Sequence, residues 1–244
     1  MSAIPRILPC GDAALAVEFG NIIDPKLNAR VLALDARLNE APIGNRFPGL
    51  VETVPTYRSL LVHYDPVATS FQNLSAELLR LAQDLPEEPG EGRLWRIPVV
   101  YGGPFGIDLE EVAERHGLTP SQVIDKHAAP IYRVYMIGFV PGYAYLGGLD
   151  PDLATPRRET PRLRTPAGTI SIGGIQAVVA SIEAPSGWHL LGRTPVRSFM
   201  LTRDPIFLLE AGDRVTFDPI DACRWEELDR AAEAGEPVAE TIAG

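Results

Sequence analysis

The chain has 244 residues, a formal net charge of −10, 23 prolines, 22 glycines and two cysteines. The length suits one large domain or two ordinary ones, and the acidic balance argues against general attraction to nucleic acid or anionic lipid. No stretch approaches the roughly 18 uninterrupted apolar residues of a membrane span. The first residues also lack the basic segment followed by an apolar run that is typical of a signal peptide. Cys10 and Cys223 give no disulfide framework, and no histidine or cysteine spacing indicates a metal site. We therefore expect a turn-rich, β-containing cytoplasmic protein.

Residues 1–88 predict a small α/β domain with the element order β-α-β-β-α. The expected elements are a strand within 11–20, a helix that begins at Asp24–Pro25 and ends at Pro42–Gly44, two strands within 51–64, and a helix capped by Ser70 or Thr69. The segment 86–91 is rich in proline and acid, which predicts an exposed linker and a domain boundary.

Residues 92–220 predict an antiparallel β-barrel with two short helices, because short strands recur at regular spacing. The expected elements are a strand over 94–101, a helix capped by Asp108, a helix beginning at Thr119–Pro120, a strand over 131–139, a hairpin within 170–182 that turns at Gly173–Gly174, and strands at 190–191, 197–202 and 215–217. Residues 221–244 predict an acidic C-terminal tail with a short helix and a frayed end.

Two segments, 138–148 and 186–195, concentrate glycine, proline and aromatic residues, and we interpret them as walls of one site. Glycine allows close backbone approach to a ligand, and aromatic rings offer rigid stacking surfaces. The alternative for the aromatics is ordinary core packing, which we favour for at least one of them. The candidate ligand-binding residues are Gly138, Phe139, Pro141, Gly142, Tyr143, Tyr145, Trp188 and Thr194.

An anion site is indicated by arginines in an acidic chain. Between residues 156 and 165 four arginines, beginning with Arg157, stand against one glutamate. Arg193, beside Thr194 and before a proline, can present a guanidinium to a carboxylate or phosphate. The alternative for Arg193 is a structural ion pair with Glu183 or Asp213.

Three further polar residues are candidates for direct roles. His189 can act as a general base, hold an oxygen of the ligand, or be a hydrogen-bonded structural histidine. Gln176, after the predicted hairpin turn, is placed to hydrogen-bond an amide. His127 lies at the end of a predicted helix, where helix capping by its positive charge is favoured over catalysis.

The runs Gly-Phe-Val-Pro-Gly-Tyr-Ala-Tyr-Leu at 138–146 and Gly-Trp-His-Leu-Leu-Gly-Arg-Thr-Pro at 187–195 resemble the allophanate hydrolase subunit 1 family. Residues 11–15, 60–66, 154–157 and 166–168 extend the resemblance over nearly the whole chain. The family includes the PxpB component of bacterial 5-oxoprolinase and the sporulation kinase inhibitor KipI.

The resemblance implies an α+β, mostly β fold, in which a small N-terminal α/β (ferredoxin-like) domain precedes a cyclophilin-like β-barrel. It also implies a composite enzyme that opens 5-oxo-L-proline to L-glutamate with ATP, the nucleotide being bound with magnesium. The implied partners are a cyclophilin-like subunit-2 protein (PxpC- or KipA-like) and a third, PxpA-like subunit, so that this chain alone is expected to be inactive or nearly so.

The chemistry of the residues described above fits this implied reaction and suggests their roles. His189, Arg193 and Gln176 become the catalytic candidates, with Arg157 and Thr194 joining Arg193 in anion binding. Relatives commonly carry an amide at the position of His189, which implies a hydrogen-bond donor rather than an obligatory proton carrier. The alternatives are an inhibitor of a sensor histidine kinase, or a carboxyltransferase or allophanate hydrolase component of urea metabolism.

Overall fold

The computed structural model describes residues 5–39 and 47–242. The chain divides into two compact units, Met1–Gly90 and Glu91–Gly244. This division falls within the proline- and acid-rich segment at 86–91. The fold is α+β and mostly β, as expected. No helix in the described ranges has the length and apolarity needed to cross a lipid bilayer.

The first unit is a four-stranded antiparallel sheet in the order β1-β2-β4-β3, packed with two helices. Its elements are β1 (Arg6–Pro9), β2 (Ala14–Glu18), α1 (Pro25–Asn39), β3 (Leu50–Pro55), β4 (Ser59–Tyr64) and α2 (Phe71–Leu81). Alternation in β4 buries Leu60, Val62 and Tyr64, and the helical spacing of Leu34 and Leu38 in α1 buries both against the same core. Strand β1 is not among the predicted elements, because it is a short and mostly exposed edge strand.

Three predicted helix starts are confirmed by hydrogen bonds. Asp24 Oδ1 accepts from the N–H of Lys26 at 2.8 Å, with Pro25 in the first helical position of α1. Ser70 caps α2, and Thr119 forms a capping box at the start of α4 (Pro120–Ala128). The predicted end of the first helix, at Pro42–Gly44, lies outside the described residues.

The predicted capping of α3 (Leu109–His116) by Asp108 is wrong. The Asp108 side chain makes no capping hydrogen bond, because its carboxylate binds arginine side chains and the backbone N–H of Leu190 instead. The helix ends at Gly117, which is in the left-handed conformation with a φ of 65°.

The second unit is built on a closed barrel of seven strands in the order β12-β9-β10-β7-β6-β13-β5, in which β5 also pairs with β12. The barrel strands are β5 (Leu94–Tyr101), β6 (Tyr132–Ile137), β7 (Ala144–Gly147), β9 (Thr169–Gly173), β10 (Gln176–Val179), β12 (His189–Arg193) and β13 (Arg214–Pro219). A separate two-stranded sheet joins β8 (Arg162–Thr165) to β11 (Ala184–Ser186).

The barrel interior is filled by aliphatic and aromatic side chains from every barrel strand, together with residues of α3 and α4. Fully buried examples are Ile97, Val123, Val134, Leu146, Ile170, Ile172 and Leu191. The expectation of a wholly antiparallel barrel is wrong in one place, since β13 runs parallel to β5. A parallel pair needs a long crossover, and all the other barrel strands lie in the chain between these two.

The short helix predicted near the C-terminus is present as α5 (Trp225–Glu233). The strand β14 (Glu240–Ile242), which pairs antiparallel with β5, is not among the predicted elements. Arg197 Nη2 binds Asp229 of α5 at 2.7 Å, which ties this helix to the barrel. The strand predicted at 197–202 is absent from the described fold, where a single bridge joins Phe199 to Phe207.

Candidate functional site

A cluster of aromatic rings on the outer face of the barrel forms a shallow cavity of about 230 Å³. Phe139 contacts Tyr143 edge-on at 5.6 Å between ring centroids, Tyr143 lies 5.2 Å from Tyr145, and Tyr145 meets Trp188 in a T-shaped pair at 6.0 Å. We call the cavity lined by these four rings and Arg157 the aromatic pocket. The two dense segments of the sequence thus do meet in space.

The loop before β7 holds the exposed wall of the aromatic pocket in an uncommon backbone conformation. Phe139 has a φ of 70°, although it is not glycine, and its ring is 61% exposed. The N–H of Gly138 donates to the carbonyl of Tyr143 at 3.1 Å, and the hydroxyl of Ser181 donates to the carbonyl of Pro141. Left-handed conformations of bulky residues cost free energy and concentrate at binding sites, so the loop geometry favours a functional role for Phe139.

The inner wall of the aromatic pocket is Trp188, which lies against the backbone of the β9–β10 hairpin. A Cβ atom at Gly173 would lie 2.6 Å from the indole ring, so the glycine provides the room for the ring. The backbone N–H of Trp188 donates to the hydroxyl of Ser186 at 3.1 Å, and Ser186 is also hydrogen-bonded to the hydroxyl of Tyr143. Ser186 thus links the backbone at Trp188 to the phenol of Tyr143.

Gln176 lies directly across the hairpin from Gly173. Alternation along β10 puts Gln176 on the same outer face as Val178, which packs with Tyr143 and Trp188. The hairpin thus places Gln176 at the edge of the aromatic cluster.

Most of the positive charge of the arginine-rich segment is neutralised within the structure. Asp108 is buried and accepts two hydrogen bonds from Arg162, at 2.5 and 2.9 Å, and a longer one of 3.4 Å from Arg158. Arg158 also pairs with Glu111 at 3.1 Å. These two carboxylates, at the start of α3, therefore hold this segment in place.

Arg157 is the exception within this segment. Arg164 pairs with Glu183 at 3.0 Å, whereas no carboxylate of the described residues is within ion-pair distance of Arg157. Its guanidinium carbon lies 5.3 Å from the ring centroid of Trp188, in a cation–π contact. The aromatic pocket therefore carries an uncompensated positive charge at its rim.

The two tyrosines of the pocket remain protonated at neutral pH. Burial raises the pKa of both Tyr143 and Tyr145, and the positive charge of Arg157 opposes that rise at each hydroxyl. The phenols can donate hydrogen bonds, but they are poor bases.

His189 lies behind the aromatic pocket rather than in it. Its ring is 1% exposed, and Nε2 lies 3.0 Å from the carbonyl oxygen of Pro156. Nδ1 lies 3.9 Å from a carboxylate oxygen of Glu111. Because a carbonyl oxygen can only accept, Nε2 carries the proton and donates a hydrogen bond to Pro156, the residue just before Arg157.

The sequence model of the family described as "Carboxyltransferase domain, subdomain C and D" matches residues 5–209. The chain belongs to this carboxyltransferase-domain family. The B-subunit of the 5-oxoprolinase of Bacillus subtilis (strain 168) is 40% identical over 223 residues, which are 87% of this chain and 91% of the relative. That of Haemophilus influenzae is 44% identical over 168 residues, or 69% of this chain and 78% of the relative. The resemblance inferred from the sequence motifs is thereby confirmed.

The solved structure of a protein named TTHA0988 is 39% identical to this carboxyltransferase-domain chain, with a TM-score of 0.75. The match covers 86% of this chain and 40% of that chain. This chain therefore spans less than half the length of that protein.

Arg193 and Thr194 do not line the aromatic pocket of this carboxyltransferase-domain chain. Arg193 donates twice to the carbonyl of Ala167, at 3.0 and 3.2 Å, and its guanidinium lies 4.8 Å from the ring centroid of Trp225. Thr194 is fully buried, and its hydroxyl accepts from the N–H of Val196. Burial lowers the pKa of Arg193. The alternative expected for Arg193 is also wrong, since Glu183 pairs with Arg164 and Asp213 pairs with Arg93.

His127 is a fully buried residue of α4 that packs against the barrel, so the predicted charge-based cap is wrong. Its Nδ1 is 2.8 Å from the hydroxyl of Tyr101, and its ring stacks on Phe217 at 4.9 Å. Complete burial lowers the pKa of His127 to about 3, so that the ring is neutral at physiological pH.

Two residues that shape the site are not identified by the sequence patterns. The position of Asp108 predicts a helix cap, and its partner Arg162 lies 54 positions away, so no local pattern reveals the pair. Ser186 is not singled out by the sequence because the larger side chains of the segment 186–195 carry the pattern that identifies it. Within the described ranges, no group of three or more His, Cys, Asp or Glu is arranged to hold a metal ion.

Proposed function

We propose that this chain is the PxpB-type component of an ATP-dependent 5-oxoprolinase and contributes part of a composite site that converts 5-oxo-L-proline to L-glutamate. The observation that carries the proposal is the identity of 40% across 91% of the Bacillus subtilis 5-oxoprolinase B-subunit. That level and coverage of identity supports a shared fold and, we propose, a shared site. We also propose a ferredoxin-like first unit and a cyclophilin-like barrel as the finer fold assignments.

The aromatic pocket supports a binding role more than a chemical one. Its polar lining groups are the guanidinium groups of Arg157 and Arg158, the phenols of Tyr143 and Tyr145, and Ser186. None of these is a general base at neutral pH, because burial raises the pKa of both phenols. The residues that activate and open the lactam are therefore proposed to come from partner subunits, and the isolated chain is expected to be inactive.

ATP belongs to the proposed reaction, and the aromatic pocket does not fit it. A triphosphate site needs several cationic or backbone donors and a magnesium ion, whereas this pocket offers one uncompensated guanidinium, since Arg158 is already bound by Asp108 and Glu111. Arg193 and Thr194 are committed to internal contacts. We therefore propose that magnesium ATP is held by a partner protein of the complex.

The proposed partners are a subunit-2 protein of the PxpC or KipA kind and a third, PxpA-like subunit. Large apolar side chains project from the second unit and are suited to such assembly, with Leu163 89%, Leu201 76% and Phe139 61% exposed.

We propose a cytoplasmic location for the protein. Both cysteines are free and exposed, which fits the reducing environment of the cytoplasm.

Glutamate release tests the proposal directly. The chain alone, the two partner subunits alone and all three together are incubated with 5-oxo-L-proline and ATP, and glutamate and ADP are measured. Turnover in the triple mixture alone is the expected result. A triple mixture that assembles, as seen by size-exclusion chromatography, and yet releases no glutamate contradicts the proposal.

A kinase inhibitor of the KipI type is the second candidate. The exposed apolar residues Leu163 and Leu201 are the feature that favours it, since an inhibitor needs a docking surface and no ATP turnover of its own. Autophosphorylation of a sensor kinase, followed with and without this chain, separates the two functions. A carboxyltransferase-related role in urea metabolism instead requires a biotin-carrying partner.

A further inference from the structure

We propose that the aromatic pocket is the carboxylate-binding half of the substrate site. Arg157 binds the carboxylate of a small lactam acid, and the corner between Tyr145 and Trp188 takes its ring. The inference rests on the proposed function and adds to it the residue that recognises the acid group of the substrate.

The charge distribution favours a single carboxylate as the anion. In a segment where Arg158, Arg162 and Arg164 are ion-paired, Arg157 is left without a carboxylate partner among the described residues. An exposed guanidinium beside apolar walls can form a bidentate pair with a planar carboxylate. One such cation balances one negative charge, which excludes a polyphosphate as the preferred guest.

The shape of the pocket favours a small ring. Its volume of about 230 Å³ is below the roughly 300–1,000 Å³ of sites for larger ligands. The Tyr145 and Trp188 rings meet at 69° and so form a corner rather than a parallel slot. A five-membered lactam can contact one ring face-on and the other with its edge.

Steady-state kinetics of the assembled three-subunit enzyme test this assignment. The variant Arg157→Gln is compared with Arg157→Lys and with Arg164→Gln, which removes the same charge from an exposed position 3.0 Å from Glu183. We expect Arg157→Gln to raise the KM for 5-oxo-L-proline about 10- to 100-fold, the range for losing a charge-assisted hydrogen bond. The kcat and the KM for ATP are expected to change less than about threefold. Arg157→Lys is expected to recover part of the loss and Arg164→Gln to match the wild type.

Inhibition by 2-pyrrolidinone, the lactam without a carboxylate, provides the second arm. Its inhibition constant is expected to be the same for wild type and Arg157→Gln. An unchanged KM for 5-oxo-L-proline in Arg157→Gln, an equal effect of Arg164→Gln, or a matching rise in the KM for ATP overturns the inference. An assembled wild-type complex without activity overturns the proposed function itself, which is a distinguishable result.

Discussion

The imidazole Nε2 of His189 lies 3.0 Å from the carbonyl oxygen of Pro156, so a buried side chain holds the backbone immediately before Arg157. The ring contacts this backbone from behind and is not part of the pocket surface. His189 therefore acts on a ligand only through the position of Arg157. This role needs a hydrogen-bond donor, and it needs no proton transfer.

The first prediction concerns replacement of this donor. His189→Leu is expected to raise the KM for 5-oxo-L-proline about fivefold, which corresponds to one neutral hydrogen bond, with little change in kcat. His189→Gln keeps an N–H donor and is expected to stay near the wild-type KM. Initial-rate measurements on the assembled enzyme decide this, and a large loss of kcat in both variants would instead indicate direct catalysis by His189.

The second prediction concerns Asp108, whose buried carboxylate binds Arg158, Arg162 and the N–H of Leu190. Asp108→Ala is expected to lower the free energy of unfolding by about 3 kcal/mol, the lower end for breaking a buried pair, because the arginines keep some contact with water. Urea denaturation followed by tryptophan fluorescence provides the measurement. Glu110→Ala, at an exposed neighbouring position, serves as control and should cost less than about 1 kcal/mol.

The third prediction is a pH dependence from His127. Burial lowers its pKa to about 3 in the folded state, whereas the unfolded chain has the ordinary value near 6.5. The unfolded state therefore binds more protons between these two values, and stability falls as the pH drops through this window. At pH 5.5 the loss due to His127 is about 1.4 kcal/mol relative to neutral pH.

Urea titrations at pH 7.5 and 5.5 check this dependence. All three tryptophans, Trp95, Trp188 and Trp225, lie in the second unit, so their fluorescence reports on the barrel that contains His127. His127→Gln should lack the acid loss that the wild type shows, and His63→Gln, in the first unit, should retain it. Equal pH dependence in wild type and His127→Gln would show that His127 is not the group responsible.

The fourth prediction concerns Trp225, which is held between the guanidinium of Arg193 and the ring of Phe105, each 4.8 Å away. Trp225→Ala removes both contacts, and we expect amide hydrogen exchange in α5 and β14 to become about 5- to 100-fold faster, given ~0.5–2 kcal/mol for a cation–π contact plus lost ring packing. Exchange in the barrel strands away from β14 should be unaffected. Glu226→Ala, the exposed neighbour, is the control, and faster exchange in that variant would argue against anchoring by Trp225.

Features set by local sequence were predictable, and those set by distant partners were not. The helix starts at Asp24, Ser70 and Thr119 follow from side chains that cap the next few N–H groups, so a short window of sequence contains the whole interaction. Strands β1 and β14 are short and largely exposed, and they exist because of the strands they pair with. The parallel pairing of β13 with β5 likewise depends on the closed barrel.

The same distinction applies to the site. The aromatic residues and Arg157 can be found from the sequence because glycine, proline and aromatic residues cluster in two short segments. Arg193 is predicted to bind an anion, yet its cation–π partner Trp225 lies 32 positions further along the chain. Nothing near Arg193 in the sequence distinguishes a guanidinium that holds a helix from one that holds a ligand.

Strand β5 is hydrogen-bonded to β12, β13 and β14, all of which come much later in the chain. The first barrel strand, β5, can therefore pair only after the last strands of the chain are available. Closure of the barrel requires contacts between residues that are far apart in the sequence. Such topologies fold slowly, because chain entropy is lost before the pairing compensates for it. During synthesis on the ribosome, the first unit can complete its core while β5 is still unpaired, and the unfinished barrel is the stage at which we expect this protein to need a chaperone.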